Sequence, residues 1–134
     1  MLDRLTNTLD FQSQALVLRS ERQRLIASNI ANADTPGYVA REMDFAAALK
    51  QATGQMPVAG AMAATQPGHI APAAGARAEA NLLYAAPSQT NLDRNTVDMD
   101  RERANFADNA VKYEATLRFI NGQVKTMLSA ITGQ

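Results

Sequence analysis

Apolar residues in the C-terminal part of the chain recur at alternating spacings of four and three, without a polar interruption. This pattern is typical of a helix that packs one side against another helix. Asp98 suits the N-cap of such a helix, and Gly133 suits its stop. Gly122 lies inside it, where we expect close packing. The pattern predicts a helix from about 98 to 131 whose seam is Phe106, Ala110, Tyr113, Leu117, Ile120, Val124, Met127 and Ile131.

The N-terminal part carries two neighbouring apolar stripes on a second predicted helix. Polar side chains interrupt both stripes: Gln12, Arg19 and Gln23 lie in the first, and Arg22 lies in the second. Two stripes form a wider face than one partner helix covers, so we expect contacts with several helices, in one bundle or from neighbouring subunits. The first stripe is Leu2, Leu5, Leu9, Leu16, Ile26, Ile30 and Ala33, and the second is Phe11, Ala15, Leu18 and Leu25.

A turn is predicted where the first helix ends. Asn29 and Asn32 lie three residues apart near that end. They suit either capping and bonds to the turn backbone or packing against another subunit. Proline disfavours a helical conformation in the residue before it, and the glycine after it suits the left-handed position of a type II turn. We expect a structural turn, and not a ligand site, from Thr35, Pro36, Gly37 and Tyr38.

Between the two helices the composition changes. Residues 46–94 are rich in alanine, glycine and proline and carry few charges over most of their length. This composition indicates an irregular insert. We therefore predict an all-α fold in which long terminal helices pack as a coiled-coil-like pair or bundle. Residues 1–45 hold the first helix and its turn, 46–94 the insert and 95–134 the second helix, and the two ends form one domain.

Composition and charge exclude several classes of function. The 13 basic and 13 acidic residues balance, which argues against a nucleic-acid partner, and no apolar run is long enough to span a membrane. The chain contains no cysteine, so thiolate zinc sites and cysteine nucleophiles are excluded. His69 is the single histidine and lacks clustered carboxylates, and no nucleophile elbow or phosphate-binding loop occurs. We predict no cofactor, no metal and no enzymatic activity.

Two further observations concern partners. Arg19, Arg22 and Arg24 form a basic cluster, but Glu21 lies within it, so a solvated helix face is favoured over a site for an acidic partner. One helix pair with an irregular insert buries little apolar surface against the entropy of ordering it. We therefore predict that an isolated subunit is partly disordered and that other subunits complete its helical faces.

Several segments resemble flagellar basal body rod proteins. Residues 27–38 resemble the N-terminal signature of flagellar rod and hook proteins, an Asn-x-x-Asn helix end followed by a Thr-Pro-Gly-Tyr turn. Residues 39–45, 68–70, 87–89, 95–102 and 113–133 are similar to the proximal rod proteins in particular. The resemblance covers nearly the whole chain outside the insert. Two positions depart from the pattern: Arg94 stands where a glycine is usual, and Arg103 where an apolar residue is more common.

The resemblance implies a structural subunit of the periplasmic rod, exported through the flagellar type III apparatus without signal cleavage. It implies that the terminal helices pack side by side in a tube that transmits torque. The expected partners are other copies of the chain, other rod proteins, the adaptor at the rod base, the export gate and the membrane ring. We expect the assembly surface to comprise the first stripe, the turn with Asn29 and Asn32, and the seam.

Two other functions use the same features. A soluble coiled-coil adaptor would bind a partner helix through the seam and form a defined dimer or heterodimer instead of open polymers. A small DNA-binding protein would use the arginine cluster, and the balanced net charge argues against it.

Overall fold

The structure is a computed structural model that describes residues 2–54, 82–84 and 92–133, except for the side chains of Leu2, Asp3 and Leu5. The elements in chain order are helix α1 (Leu2–Ala31), strand β1 (Arg41–Met43), helix α2 (Phe45–Ala52), strand β2 (Leu82–Tyr84) and helix α3 (Met99–Thr132). The predicted all-α fold with long terminal helices is confirmed. Most of the predicted insert, including His69, lies outside the described residues.

Local sequence chemistry explains both ends of α3. The side chain of Asp98 accepts hydrogen bonds from the backbone N–H groups of Asp100 and Arg101, as expected of an N-cap. Gly133 adopts the left-handed conformation, with φ of 72°, and its N–H donates to the carbonyl of Ser129. Both predicted end signals are confirmed.

Helices α1 and α3 form the main contact of the fold and run antiparallel. Asn109 of α3 lies opposite Arg19 and Gln23 of α1, and the Gln23 side chain reaches the carbonyl of Phe106 one turn earlier in α3. Towards the other end of the pair, Asn29 of α1 meets Glu102 of α3. The long terminal helices therefore pack together as predicted.

A small unit of two strands and a short helix packs beside α1, and its Glu42 also pairs with Arg101 of α3. Strands β1 and β2 pair antiparallel, with Arg41 opposite Tyr84 and Met43 opposite Leu82. The Asp44 side chain caps α2 by accepting a hydrogen bond of 3.0 Å from the Ala47 N–H. Most of α2 and strand β2 lie within residues 46–94, where the sequence predicted an irregular insert, whereas β1 lies within 1–45, where only the first helix and its turn were predicted. Alanines after an N-cap favour a short helix even beside a segment rich in glycine and proline.

Candidate assembly site

The start of α3 is tied to the end of α1 by Asn95, which is buried. Its side-chain N–H2 group lies 2.9, 2.7 and 2.8 Å from the carbonyl oxygens of Asn32, Ala33 and Thr35. Its carbonyl oxygen accepts a hydrogen bond of 2.8 Å from the N–H of Val97. A single side chain therefore binds three carbonyls of the turn that follows α1.

Asn29 performs a second long-range role at the same junction, and only 1% of it is exposed. Its side-chain N–H2 donates to the carbonyl of Arg41 at 2.8 Å, and its oxygen accepts from the Arg41 N–H at 3.1 Å. The hydroxyl of Tyr38 donates to the same oxygen at 3.2 Å. Asn29 therefore holds the chain after the turn against α1. It does not cap the helix.

Asn32 fits the capping interpretation, because its side-chain N–H2 donates to the carbonyl of Ser28 at 2.8 Å and its oxygen accepts from the Thr35 hydroxyl. The turn is closed by a bond of 3.3 Å from the Tyr38 N–H to the Thr35 carbonyl. Gly37 has φ of 72°, which confirms the predicted left-handed position. Thr35, Pro36 and Gly37 are exposed, whereas Tyr38 is partly buried.

Two chain segments run side by side across this junction. The Gly37 N–H donates to the Asp93 carbonyl at 2.7 Å, and the Thr96 N–H donates to the Tyr38 carbonyl at 3.0 Å. The Thr96 hydroxyl in turn accepts from the Ala40 N–H at 2.8 Å. We call these residues together with Asn29, Asn32 and Asn95 the asparagine junction. It fixes where each terminal helix starts or stops relative to the other.

Arg94 lies next to the junction with φ of 55°, in the left-handed region that favours glycine. This explains structurally why a glycine suits the position, as the family resemblance implies. The arginine is exposed, and its backbone strain is imposed by the neighbouring hydrogen bonds of Asp93 and Asn95.

The predicted seam of α3 divides into two lines that differ in exposure. We call Phe106, Tyr113, Ile120 and Met127 the inner line; the last three are partly buried, and Phe106 exposes 39% of its surface. We call Ala110, Leu117, Val124 and Ile131 the outer line, and all four of its residues are exposed. Arg103 occupies the position that precedes this outer line by one heptad repeat.

The residues of α3 that are most buried against α1 are polar. Four of them recur at intervals of seven, and three of these expose less than a tenth of their surface. Each stands one residue before a position of the outer-line repeat. The inner line therefore lies between these residues and the outer line on the helix surface. We call Glu102, Asn109, Thr116 and Gln123 the polar line. Sequence reasoning missed it because the apolar seam was the stronger signal, although a seven-residue polar repeat is visible in the sequence.

The first stripe of α1 is only partly covered. Ile26 is buried, and Leu9, Leu16 and Ile30 are partly buried, whereas the side chains of Leu2 and Leu5 lie outside the described residues. From the second stripe, Ala15 and Leu18 are buried and Phe11 is exposed. Of the interrupting residues, Gln23 meets Asn109 of the polar line with its side chain, and Arg19 meets it with its backbone carbonyl.

Arg19, from the basic cluster, lies with its guanidinium 4.5 Å from the ring centroid of Phe45 in α2. Burial lowers its pKa, the neighbouring Arg22 lowers it further, and Asp108 raises it. This arginine therefore joins α1 to α2 by a cation–π contact.

Glu102 is the acidic residue buried at the meeting point of α1, β1 and α3. Burial raises its pKa, and the Glu42 and Asp98 carboxylates act in the same direction. A hydrogen bond from Asn29 and the charge of Arg101 oppose the rise without cancelling it. The ionised carboxylate is therefore unfavourable in the packed junction.

Two remaining features do not form a chemical site. A surface groove of about 300 Å³ on α3 is lined by Arg118, Phe119, Gly122, Gln123 and Thr126. A Cβ atom at Gly122 would meet no atom within 4 Å, so the expected close packing there is absent among the described residues.

Within the described residues no three histidine, cysteine or acidic side chains form a group able to hold a metal ion. No helix in the described ranges is long and apolar enough to cross a bilayer.

Comparison with known proteins decides the family. A sequence model described as "Flagella basal body rod protein" matches residues 9–38, which comprise most of α1 and the turn after it and include Asn29 and Asn32. The flagellar basal body rod protein FlgB of Proteus mirabilis (strain HI4320) is 54% identical over 136 residues, and the alignment covers 98% of each chain. The chain belongs to the FlgB family of flagellar basal body rod proteins.

Other FlgB proteins extend the comparison. The Salmonella typhimurium protein is 48% identical over 136 residues with 99% of each chain covered. The Cereibacter sphaeroides protein is 41% identical over 126 residues with 94% of each chain covered. Membership of this family confirms the prediction of a structural rod subunit that is not an enzyme. It also implies association with other components of the rod and basal body.

Proposed function

We propose that the chain assembles with copies of itself and with other rod proteins through its terminal helices, and so builds the tubular proximal rod that transmits torque. Family membership supports the rod assignment. The antiparallel α1–α3 pair supplies a stiff unit with exposed apolar side chains on α3. The asparagine junction fixes the geometry of that unit at one end.

The outer line is the observation that carries this proposal. Leu117 exposes 36% of its surface, Val124 41% and Ile131 75%, and the adjacent Leu128 exposes 55%. Contiguous exposed apolar surface on a small protein marks an interaction site. The outer line follows one side of α3 at intervals of seven residues. A neighbouring helix is therefore the occupant that this surface fits best.

We further propose that the chain reaches the periplasmic rod through the flagellar type III export apparatus, without a cleaved signal peptide. Its partners at the base are then the rod-base adaptor, the export gate and the membrane ring. FlgB family membership supports these assignments. The first stripe, the turn residues Thr35, Pro36, Gly37 and Tyr38, and the seam are the proposed assembly residues.

The test compares two lysine substitutions. Val124→Lys places a charge on the outer line, whereas Ser20→Lys places one on an exposed polar position of α1. The purified variants should unfold at the same urea concentration as the unmodified chain, because neither position is buried. In cells with the variant as the only copy, Val124→Lys should abolish swimming and rod incorporation, and Ser20→Lys should not.

Normal swimming with Val124→Lys would contradict the proposed role of the outer line. Electron microscopy of the concentrated chain separates the proposal from the adaptor alternative. Open polymers support rod assembly, whereas a defined dimer would favour a coiled-coil adaptor.

A further inference from the structure

Helix α3 has two faces that could pack against α1, and both include the inner line. One face pairs the inner line with the polar line, and the other pairs it with the outer line. Burial of apolar area alone favours the second face, because Leu117, Val124 and Ile131 would leave water. The structure buries the first face instead.

Hydrogen bonds between the helices account for this orientation. The Asn109 side-chain N–H2 lies 2.9 Å from the carbonyl of Arg19 and 2.6 Å from the side-chain oxygen of Gln23. One heptad earlier in α3, the buried Glu102 lies beside the Asn29 side chain of α1. Thr116 differs, because its hydroxyl donates to the carbonyl of Lys112 in its own helix. The polar contacts that bridge the helices are therefore those of Glu102 and Asn109 on α3, together with the Gln23 side chain of α1, which also reaches the Phe106 carbonyl at 3.5 Å.

The polar line is not optimised for the stability of a single subunit. One side-chain oxygen each of Glu102, Asn109 and Gln123 is buried without a hydrogen-bond partner among the described residues. A buried polar atom without a partner is destabilising. In coiled coils a buried polar residue lowers stability but fixes the register and orientation of the helices. Lower stability in return for a fixed helix orientation likewise explains the polar line of α3.

We infer that the polar line sets the rotation of α3 about its own axis and so keeps the outer line turned away from α1. On this basis Glu102 and Asn109 are specificity-determining residues that reserve the outer line for a helix of a second copy of the chain. The rotation itself is a property of the single chain, whereas its use in assembly rests on the proposed function.

The chain contains no cysteine, so single thiols can report the rotation. Val124→Cys places a thiol on the exposed outer line, and Thr116→Cys places one on the buried polar line without removing a bond between the helices. In the otherwise unmodified dilute chain, the thiol at position 124 should react quickly with a thiol reagent and the thiol at position 116 slowly. Adding Asn109→Ala should reverse this preference, slowing position 124 severalfold and accelerating position 116 severalfold.

The matched control is Asn121→Ala, the same substitution at an exposed position of α3. It should leave both reaction rates unchanged. Gln23→Ala removes the acceptor of the 2.6 Å bond from the α1 side and should change the rates in the same direction as Asn109→Ala. This second variant keeps the test valid if Asn109→Ala fails to fold.

Faster reaction at both positions would mean that Asn109 only stabilises the fold, and unchanged rates would mean that it does not orient α3; either result overturns the inference. The role of this rotation in assembly is tested separately. Failure of the unmodified chain to polymerise or enter the rod would contradict the proposed function alone. Normal incorporation of an Asn109→Ala chain whose thiol rates have reversed would overturn the role of this rotation in assembly.

Discussion

The side-chain amide of Asn95 donates a hydrogen bond of 2.7 Å to the carbonyl oxygen of Ala33, which lies 62 residues earlier in the chain. This contact joins the residues just before α3 to those just after α1. Together with the bonds to Asn32 and Thr35, it closes the whole intervening segment at its base. The terminal helices are therefore tied to each other through this junction.

Substitution of Asn95 tests this junction. Asn95→Asp replaces an N–H2 group, which lies within hydrogen-bond distance of three carbonyl oxygens, by a carboxylate that faces the same oxygens. We expect the free energy of unfolding to fall by about 1–3 kcal/mol, because each lost bond contributes roughly 1 kcal/mol net. Urea denaturation followed by circular dichroism measures the change. Asn121→Asp, at an exposed position, is the control, and equal effects at the two positions would contradict the assignment.

Arg94 and Arg103 give opposite predictions for the same substitution. Arg94→Gly should raise the free energy of unfolding by about 0.5–1 kcal/mol, because glycine adopts φ of 55° without the strain of a side chain but loses more backbone entropy. Arg103→Gly should lower it by about 1 kcal/mol, because Arg103 lies inside α3. Thermal denaturation of the two variants in parallel tests the pair. Destabilisation by both would show that Arg94 is unstrained.

The buried carboxyl of Glu102 makes the stability of the folded chain depend on pH. The pKa of Glu102 is raised in the folded chain. Its carboxyl therefore adds to the free energy of unfolding at low pH, and this added stability is lost as the pH rises through the folded-state pKa. Glu102→Gln removes the ionisation and retains an acceptor for the Asn29 side chain. We expect the variant to be more stable than the unmodified chain at pH 7 and equally stable near about pH 4, below both pKa values.

The measurement is a series of urea denaturations from pH 4 to 7, compared as differences between the two chains at each pH. Glu114→Gln is the control, because Glu114 is exposed and pairs with Arg118 at 2.6 Å on the surface of α3. A difference for Glu102→Gln that stays constant across this range would show that the carboxyl does not titrate differently on folding.

Gly122 should tolerate a side chain in the isolated subunit. Because a Cβ atom there meets no neighbour within 4 Å, Gly122→Ala should raise the free energy of unfolding by about 1 kcal/mol through helix propensity alone. Chemical denaturation at low concentration tests this. Lower stability would show that α3 packs closely at this position even in the single chain.

Signals within a few residues of one another were predictable from the sequence. Asp98 and Gly133 mark the ends of α3 by their own chemistry, and Gly37 after Pro36 determines a left-handed turn position. Each depends on local backbone preferences that any chain shares. The two long helices followed from periodicity in the same way.

Long-range contacts were not predictable. Asn95 contacts carbonyls about 60 residues away, and no local pattern specifies those partners. The rotation of α3 was also beyond the pattern, because the 4-3 spacing combines the inner and outer lines and does not say which lies against α1. Asn109 decides this through hydrogen bonds to the backbone carbonyl of Arg19 and to the side chain of Gln23, and the apolar pattern treats Gln23 only as an interruption.

The central claim is that the outer line is uncovered in a single subunit and is covered by other subunits on assembly. Hydrogen exchange of the purified chain, measured when dilute and again at rising concentration, tests it most directly. The account predicts rapid exchange in α3 from Val124 to Thr132 in the dilute chain, with protection that grows as subunits associate. Strong protection of that segment at the lowest concentration, unchanged on concentration, would contradict it.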